Sequence, residues 1–298
     1  IFQRIGERKK SVEDFKENED TDALNRLCNA LAAHGFLIKE GNEFRNSESS
    51  KVFLTDNSEH DLRPMIQLLH RAYETWDDLE KAIEQGQSYE KRDNNNIQDW
   101  DPDFIAAMEA RAYMSAPAVA DNLSSLVKGG DIIDLGGGSG AFCRAILKKD
   151  EEAKGVVGDL SHVVKEAQKF ADQHQMTGCM EFKELDLLND EDYGSGYDLA
   201  LLSAIVHCFG HEENQKIVNR AYSSLNDGGT VAILDYIMNE DKTEPIAGPL
   251  FSLNMLLSTE TGDVYSFSEI EEWMKEAGFK NIRRIELEEA ADLVLGEK

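Results

Sequence analysis

Three carboxylates and a glycine-rich turn carry the chemistry that this chain puts on view first. Residues 131 to 140 read Asp-Ile-Ile-Asp-Leu-Gly-Gly-Gly-Ser-Gly, an apolar strand ending in an acid and followed by a sharp turn. Gly136, Gly138 and Gly140 let the backbone turn and approach a ligand with no side chain in the way. The helix expected after them aims its first amide N–H groups at a negative group. A nucleotide-like cofactor fits, although Gly136-x-Gly138-x-x-Ala141 with Asp159 downstream also satisfies the loose dinucleotide pattern. Asp134 precedes the glycines, where a carboxylate can meet the ammonium of an amino-acid tail. Asp159 closes Val-Val-Gly-Asp-Leu, placed to accept both hydroxyls of a ribose, and Asp186 closes Glu-Leu-Asp-Leu, within reach of an adenine amino group. A single acid of this kind is usually a loop residue or a helix cap. Three on successive strand ends point to one ligand lying across them.

The elements that must hold these residues alternate. Strands are expected at 131–135, 154–158, 180–185, 197–202 and 229–236, with helices at 140–149, 161–175, 212–225 and 268–277 between and after them. Two more strands near 279–287 and 291–296 suggest an antiparallel hairpin at the sheet edge. Alternation of β and α calls for a parallel sheet covered on both faces, with its ligand at the C-terminal strand ends. Upstream, helices are expected at 104–115 and 117–127, and an amphipathic helix at 62–85 with Met65, Leu68, Leu69, Ala72, Trp76 and Leu79 at core spacing. Residues 86–103, rich in Asn, Asp and Gln, read as a linker.

Residues 1 to about 60 read as short helices and then a small hairpin. Ser11 and Thr21 are the expected N-caps, Leu24, Leu27, Cys28, Leu31 and Ala32 share a helical face, and Phe36–Ile38, Glu43–Arg45 and Lys51–Leu54 suggest strands. Helix, helix, hairpin is winged-helix-like order. The formal charge of −27, from 58 acidic and 31 basic side chains, repels a nucleic-acid backbone or an anionic membrane, so a protein contact is expected of this module. Cys28, Cys143, Cys179 and Cys208 form no C-x-x-C pair, which argues against a disulfide framework or structural zinc and suits a reducing cytoplasm. No run reaches the length of a membrane span. The chain begins at Ile1 rather than Met, which leaves open whether residues precede it.

Asp-Leu-Gly-Gly-Gly-Ser-Gly, Gly-Asp-Leu-Ser-His-Val-Val, Leu-Leu-Ser-Ala-Ile-Val-His, Leu-Asn-Asp-Gly-Gly and Glu-Ala-Gly-Phe occur in that order. The set resembles the S-adenosylmethionine-dependent O-methyltransferases with an N-terminal winged-helix dimerisation domain, the group of plant caffeic-acid and bacterial natural-product enzymes. Leu24-x-x-Leu-x-x-Ala-Leu-x-x-x-Gly-Phe extends the likeness into the first domain. The resemblance implies an α/β class I methyltransferase with a Rossmann-like sheet, residues 1–98 forming the winged-helix domain and linker and residues 99–298 the catalytic domain. It implies S-adenosyl-L-methionine as donor and S-adenosyl-L-homocysteine as product. Asp134 and the glycine loop would hold the methionine part, Asp159 with Leu160 the ribose, Asp186 with Leu187 the adenine edge, and Ser203 would lie beside the cofactor.

The same resemblance makes His207 the general base and Asp235 one of two acids that orient it. The usual His-Asp-Trp segment reads His207-Cys208-Phe209 here, and the second acid's position falls on Val264. Tyr265 is offered as a replacement hydrogen bond, and methylation of carbon, nitrogen or sulfur as the alternative where no strong base is needed. An acceptor pocket is expected from Phe104, Met108, Phe251, Asn254, Met255 and Thr259, whose aromatic and thioether groups suit a flat, apolar acceptor. A His207/His211 metal pair lacks a third ligand, so no metal is expected. The whole reads as a cytoplasmic homodimer acting on a small aromatic or polycyclic acceptor, most readily at a hydroxyl. A winged-helix regulator that senses the cofactor is the non-enzymatic alternative.

Overall fold

Short polar residues ahead of apolar ones set the first helices in the computed structural model, which describes residues 1–56, 58, 60–86, 101–287 and 291–298. Two units form, Ile1–Leu68 and Leu69–Lys298. In the first, α1 (Phe2–Ile5), α2 (Val12–Phe15), α3 (Thr21–Ala33) and α4 (Glu48–Phe53) accompany β1 (Lys10–Ser11), β2 (Leu37–Glu40) and β3 (Glu43–Asn46). The strands form an antiparallel sheet in the order β1-β3-β2. Ile5, Val12, Phe15, Leu24, Cys28, Leu37 and Phe44 make its core. Asp20, not Thr21, caps α3 by accepting from the Ala23 amide, since the carboxylate reaches the third helical N–H from outside the helix. Lys51–Leu54 is not a strand. Ser47 caps α4 there by accepting from the Ser50 amide, and the cap carries this segment into a helix.

The helix expected over 62–85 breaks into α5 (Arg63–Thr75), a 3₁₀ turn (Trp76–Asp78) and α6 (Leu79–Gln85), and α5 buries none of its residues. Within its apolar stripe Leu69 is exposed, at 57%, while Met65, Leu68 and Ala72 are half-buried. Most of the expected linker, and the domain boundary expected between 98 and 99, lie outside the described residues.

α7 (Pro102–Val127) is one helix where two were expected. Pro117 removes one backbone donor, a cost of about 3 kcal/mol. Burial of Ala112, Ala116, Val119, Ala120 and Leu123 around it offsets that cost and carries the helix through. The main sheet then follows the expected alternation: β4 (Asp131–Leu135), α8 (Ala141–Leu147), β5 (Lys154–Asp159), α9 (Ser161–Gln173), β6 (Met180–Glu184), β7 (Tyr197–Ser203), α10 (His211–Ser224) and β8 (Leu225–Asp235). Next come β9 (Ile237–Met238), α11 (Ala247–Ser258), β10 (Tyr265–Ser266), α12 (Phe267–Ala277), β11 (Lys280–Ile285) and β12 (Asp292–Glu297).

Seven strands lie in the order β11-β12-β8-β7-β4-β5-β6. Those from β8 to β6 are parallel, and β12 runs antiparallel to both β8 and β11. Along each strand alternate residues feed opposite cores. Ile133, Leu202 and Ile233 join one cluster, while Ile132, Leu201 and Ala232 join the other. A sheet buried on both faces leaves its strand ends as the place where polar groups can meet a ligand. The order also puts β4 between β5 and β7, so the glycine loop stands between the ends carrying Asp159 and Ser203.

Candidate active site

Gly136 opens the turn after β4 and donates its N–H to the Gly158 carbonyl at 2.8 Å. Its φ is +67°, and a Cβ there would come within 2.4 Å of Ile205, so only glycine fits. Gly138 and Gly140 also have positive φ, and α8 starts at Ala141. In front of the turn lies a cavity of about 400 Å³. Gly136, Gly138, Asp159, Leu160, Asp186, Leu187, Ser203 and Asp235 all line it, together with Met108 and Arg111 of α7. Gly140 and Asp134 are not among its lining residues.

Asp134 lies behind the turn, where a Cβ on Gly137 would meet its Cγ at 2.7 Å. It is fully buried and neither carboxylate oxygen has a hydrogen-bond partner. Burial, reinforced by the charge of Asp159, pushes its pKa up to about 7 against a smaller pull from the Arg144 charge. Asp159 accepts from the Gly138 amide at 2.9 Å and the Leu160 amide at 2.7 Å. Burial outweighs those bonds and raises it to about 6. Asp186 behaves differently. Burial raises it, but bonds from the Asn189 side chain and from the Leu188 and Asn189 amides win and hold it below the usual carboxylate range. Ser203 ends β7 with a buried hydroxyl that has no partner. The next residue, Ala204, sits at φ +55°, an unusual conformation for a side-chain-bearing residue.

His207 lies in a short 3₁₀ turn, Val206–Cys208, just past β7. Its Nδ1 is 2.9 Å from each oxygen of Asp235, and its backbone N–H reaches one of them at 3.3 Å. Burial lowers the imidazole pKa, but the Asp235 charge and hydrogen bond overcome this and raise it well above its ordinary range. With Nδ1 donating to Asp235, Nε2 is the nitrogen left for a substrate proton. The imidazole packs edge-on against Phe251, with ring centroids 4.7 Å apart. His207 does not itself line the cavity, which reaches Asp235 and Tyr236 beside it.

Of the expected acceptor residues, only Met108 lines this cavity. Phe251 stands between His207 and Tyr236, 4.7 Å from each ring. Asn254 accepts from Trp76 Nε1 at 3.3 Å, Met255 is buried, and Thr259 bonds Met255 and Gly262 within its own turn. Phe104 lies in the first turn of α7, its amide donating to the capping carboxylate of Asp101. Tyr265 does not take the place of the second acid. Its hydroxyl donates to the Phe209 carbonyl at 2.5 Å, its ring packs on His211 and Trp273, and neighbouring Val264 is buried. Among the described residues, Asp235 is thus the one carboxylate on His207. His211 is mostly exposed and pairs with Glu269, and no three potential metal ligands gather among those residues.

Arg111 escaped the sequence reading. It follows Met108 by three residues, so the two share a face of α7. Its guanidinium donates to the Tyr236 hydroxyl at 3.3 Å and lies 5.7 and 5.8 Å from the centroids of Tyr236 and Phe251. It is the only basic side chain among the described residues lining a cavity otherwise edged by acids. Only the fold reveals this, because a lone Arg in a helical segment carries no signal in sequence.

Comparison with known proteins agrees with this geometry. Residues 80–280 match the O-methyltransferase domain family. A 3-hydroxy-5-methyl-1-naphthoate 3-O-methyltransferase of Streptomyces sahachiroi is 34% identical over 154 residues, covering 52% of this chain and 44% of that protein. Gallus gallus acetylserotonin O-methyltransferase is 26% identical over 276 residues, 88% of this chain and 78% of its own. Among solved structures, human N-acetylserotonin methyltransferase in complex with S-adenosylmethionine superposes with a TM-score of 0.85 at 21% identity, covering 100% of this chain and 90% of that one. PigF with S-adenosylhomocysteine gives 0.85 at 23%, covering 100% and 92%. The glycine turn, the acids at the strand ends and the His–Asp pair past β7 therefore sit in a chain that belongs to the O-methyltransferase domain family, whose methyl donor is S-adenosylmethionine.

Proposed function

We propose that the chain transfers a methyl group from S-adenosylmethionine to a hydroxyl of a small aromatic acceptor, with His207 as general base. The observation that carries this reading is the buried His207–Asp235 pair at the edge of the glycine-turn cavity. The residues present suit the donor. Asp159 and the unpartnered Ser203 hydroxyl offer acceptors and a donor to a ribose and an amino-acid tail, and the buried Asp134 carboxylate favours a cation on the other side of the turn. Arg111 supplies the one positive charge that a carboxylate there requires. When bound, the donor supplies an electrophilic methyl on a sulfonium centre.

What the protein does is geometric and protonic. The glycine turn and the ends of β5 and β7 fix the donor, while Met108 and Tyr236, the latter backed by Phe251, present apolar faces to a flat acceptor. His207 Nε2 takes the hydroxyl proton as the oxygen attacks, and Asp235 stabilises the resulting imidazolium. Aromatic hydroxyl acceptors in the names of the naphthoate and acetylserotonin relatives support this acceptor class. A His207→Ala variant tests the base: a drop in turnover of about 10²–10⁴-fold is expected, with S-adenosylhomocysteine affinity kept within a few-fold. Near-normal turnover would favour the second reading, methylation of carbon or nitrogen, which the single carboxylate on His207 also allows. The proposal extends to residues 1–98 as a winged-helix dimerisation domain of a cytoplasmic homodimer. The α3–hairpin order and exposed Leu27 and Phe36 support it, and sedimentation at micromolar protein tests it. No helix among the described residues is long and apolar enough to cross a membrane.

A further inference from the structure

Arg144 is a charged side chain at a buried position that the proposed chemistry does not use. On α8 it is 3% exposed. One nitrogen donates to the Ser139 carbonyl at 2.5 Å, and another reaches both oxygens of Glu109 on α7 at 2.5 Å. His174, just after α9, places Nε2 3.5 Å from the same carboxylate. Burial raises the Glu109 pKa, but His174 and Arg144 overcome this and hold it at about 2, so the carboxylate stays charged across the neutral range.

Such a pair is a poor investment for stability alone. Removing two charges from water costs several kcal/mol per ion, and well-packed apolar residues often serve as well or better. Its placement suggests what it does instead. Ser139 belongs to the glycine turn and lines the cavity. Glu109 directly follows Met108 and precedes Arg111 by two residues, and both of those line the same cavity from α7. The turn itself is glycine-rich and supplies little side-chain packing of its own, so an external tie to its carbonyl restricts it directly.

We propose that Arg144 and Glu109 are positioning residues that lock the glycine turn to α7, holding the donor-binding backbone in register with the cavity wall formed by Met108 and Arg111. This rests on the reading of the cavity as the S-adenosylmethionine site. Three full-length variants test it: Arg144→Met, Glu109→Gln, and the double Arg144→Met/Glu109→Leu, which replaces the pair by apolar side chains. Melting temperature, calorimetric affinity for S-adenosylhomocysteine and hydrogen exchange of the ligand-free 136–141 segment are read on each. Both single variants should weaken S-adenosylhomocysteine at least tenfold and speed exchange at 136–141. The double variant should regain melting temperature while affinity and exchange stay impaired. If the double variant recovers all three, or if the single variants exchange and bind as the wild type does, the pair is only structural and the proposal falls. Hydrogen exchange separates this from the cofactor reading. Slowed wild-type exchange with no binding of S-adenosylhomocysteine by the wild type would remove the cofactor reading, and with it the positioning role, while leaving the tie itself intact.

Discussion

His207 Nδ1 is equidistant from the two oxygens of Asp235, 2.9 Å from each, while the His207 amide donates to one of them as well. One carboxylate therefore orients the imidazole, selects its tautomer and raises its affinity for a proton. Asp235 is itself fixed by the Tyr236 amide at 2.8 Å, so the orienting group is rigid before any ligand arrives.

Asp235→Asn should preserve this geometry and cost most of the rate. An amide can present its NH₂ to Nδ1 and trap the wrong tautomer, and it cannot stabilise the imidazolium formed on proton transfer. Turnover is expected to fall about 10²-fold or more, with melting temperature little changed. A variant with full turnover would mean that Asp235 merely packs against the ring.

The pH dependence follows from the same contact. Asp235 raises the folded-state pKa of His207, so the pair's stabilisation is fully present below the unfolded value of about 6.5. It is lost as pH rises through the folded value. The base form, in contrast, appears only on that alkaline side. Turnover should therefore climb with a single-proton slope from about pH 7 towards the folded value of about 10, while melting temperature declines over the same range. A rate that is flat across this interval, measured with a non-titrating acceptor, would show that His207 is already neutral.

The sheet was legible in sequence because strand ends and glycine turns are local signals. Asp134, Asp159 and Asp186 announce themselves by following apolar runs, and the alternation from Asp131 onward fixed their order. Features that depend on distant partners were not legible. Pro117 reads as a helix break until the buried surface around it is known. Tyr265 reads as a neighbour of His207 until its hydroxyl is seen on the Phe209 carbonyl. The apolar stripe of α5 has helical spacing whether it is fully buried or, as here, only half-buried. Arg111 and Arg144 carry no motif, and their roles exist only through Tyr236, Ser139 and Glu109 brought close by the fold.

Asp134 makes a prediction of opposite sign for binding and for stability. Burial raises its folded-state pKa to about 7, above the unfolded value of about 3.9. The folded state therefore loses stability as pH climbs between those values, and stays penalised above the upper one. Asp134→Asn removes the penalty without changing volume. The ligand-free variant should melt several degrees higher than wild type at about pH 8, with the gap closing towards about pH 4. The same change should weaken S-adenosylhomocysteine, since a cationic tail loses its nearby negative charge. A variant less stable at high pH would mean that the carboxylate has partners that the ligand-free fold does not reveal.

Arg111 can be tested by removing one end of the ligand instead of the residue alone. A hydrogen bond between charged groups contributes about 1.5–3 kcal/mol, which corresponds to roughly 10- to 100-fold in affinity. Arg111→Met keeps the length and apolar contact that the side chain offers to Tyr236 and Phe251 while deleting the charge. S-adenosylhomocysteine, which carries the amino-acid carboxylate, should bind the variant at least tenfold more weakly. 5′-Methylthioadenosine, which keeps the nucleoside and lacks that carboxylate, should bind wild type and variant within about twofold of each other. Equal loss for both ligands would assign Arg111 to the cavity's shape, held through Tyr236. No loss for either would leave its charge facing the acceptor side, where an acidic oxygen on the aromatic ring becomes the group to vary next.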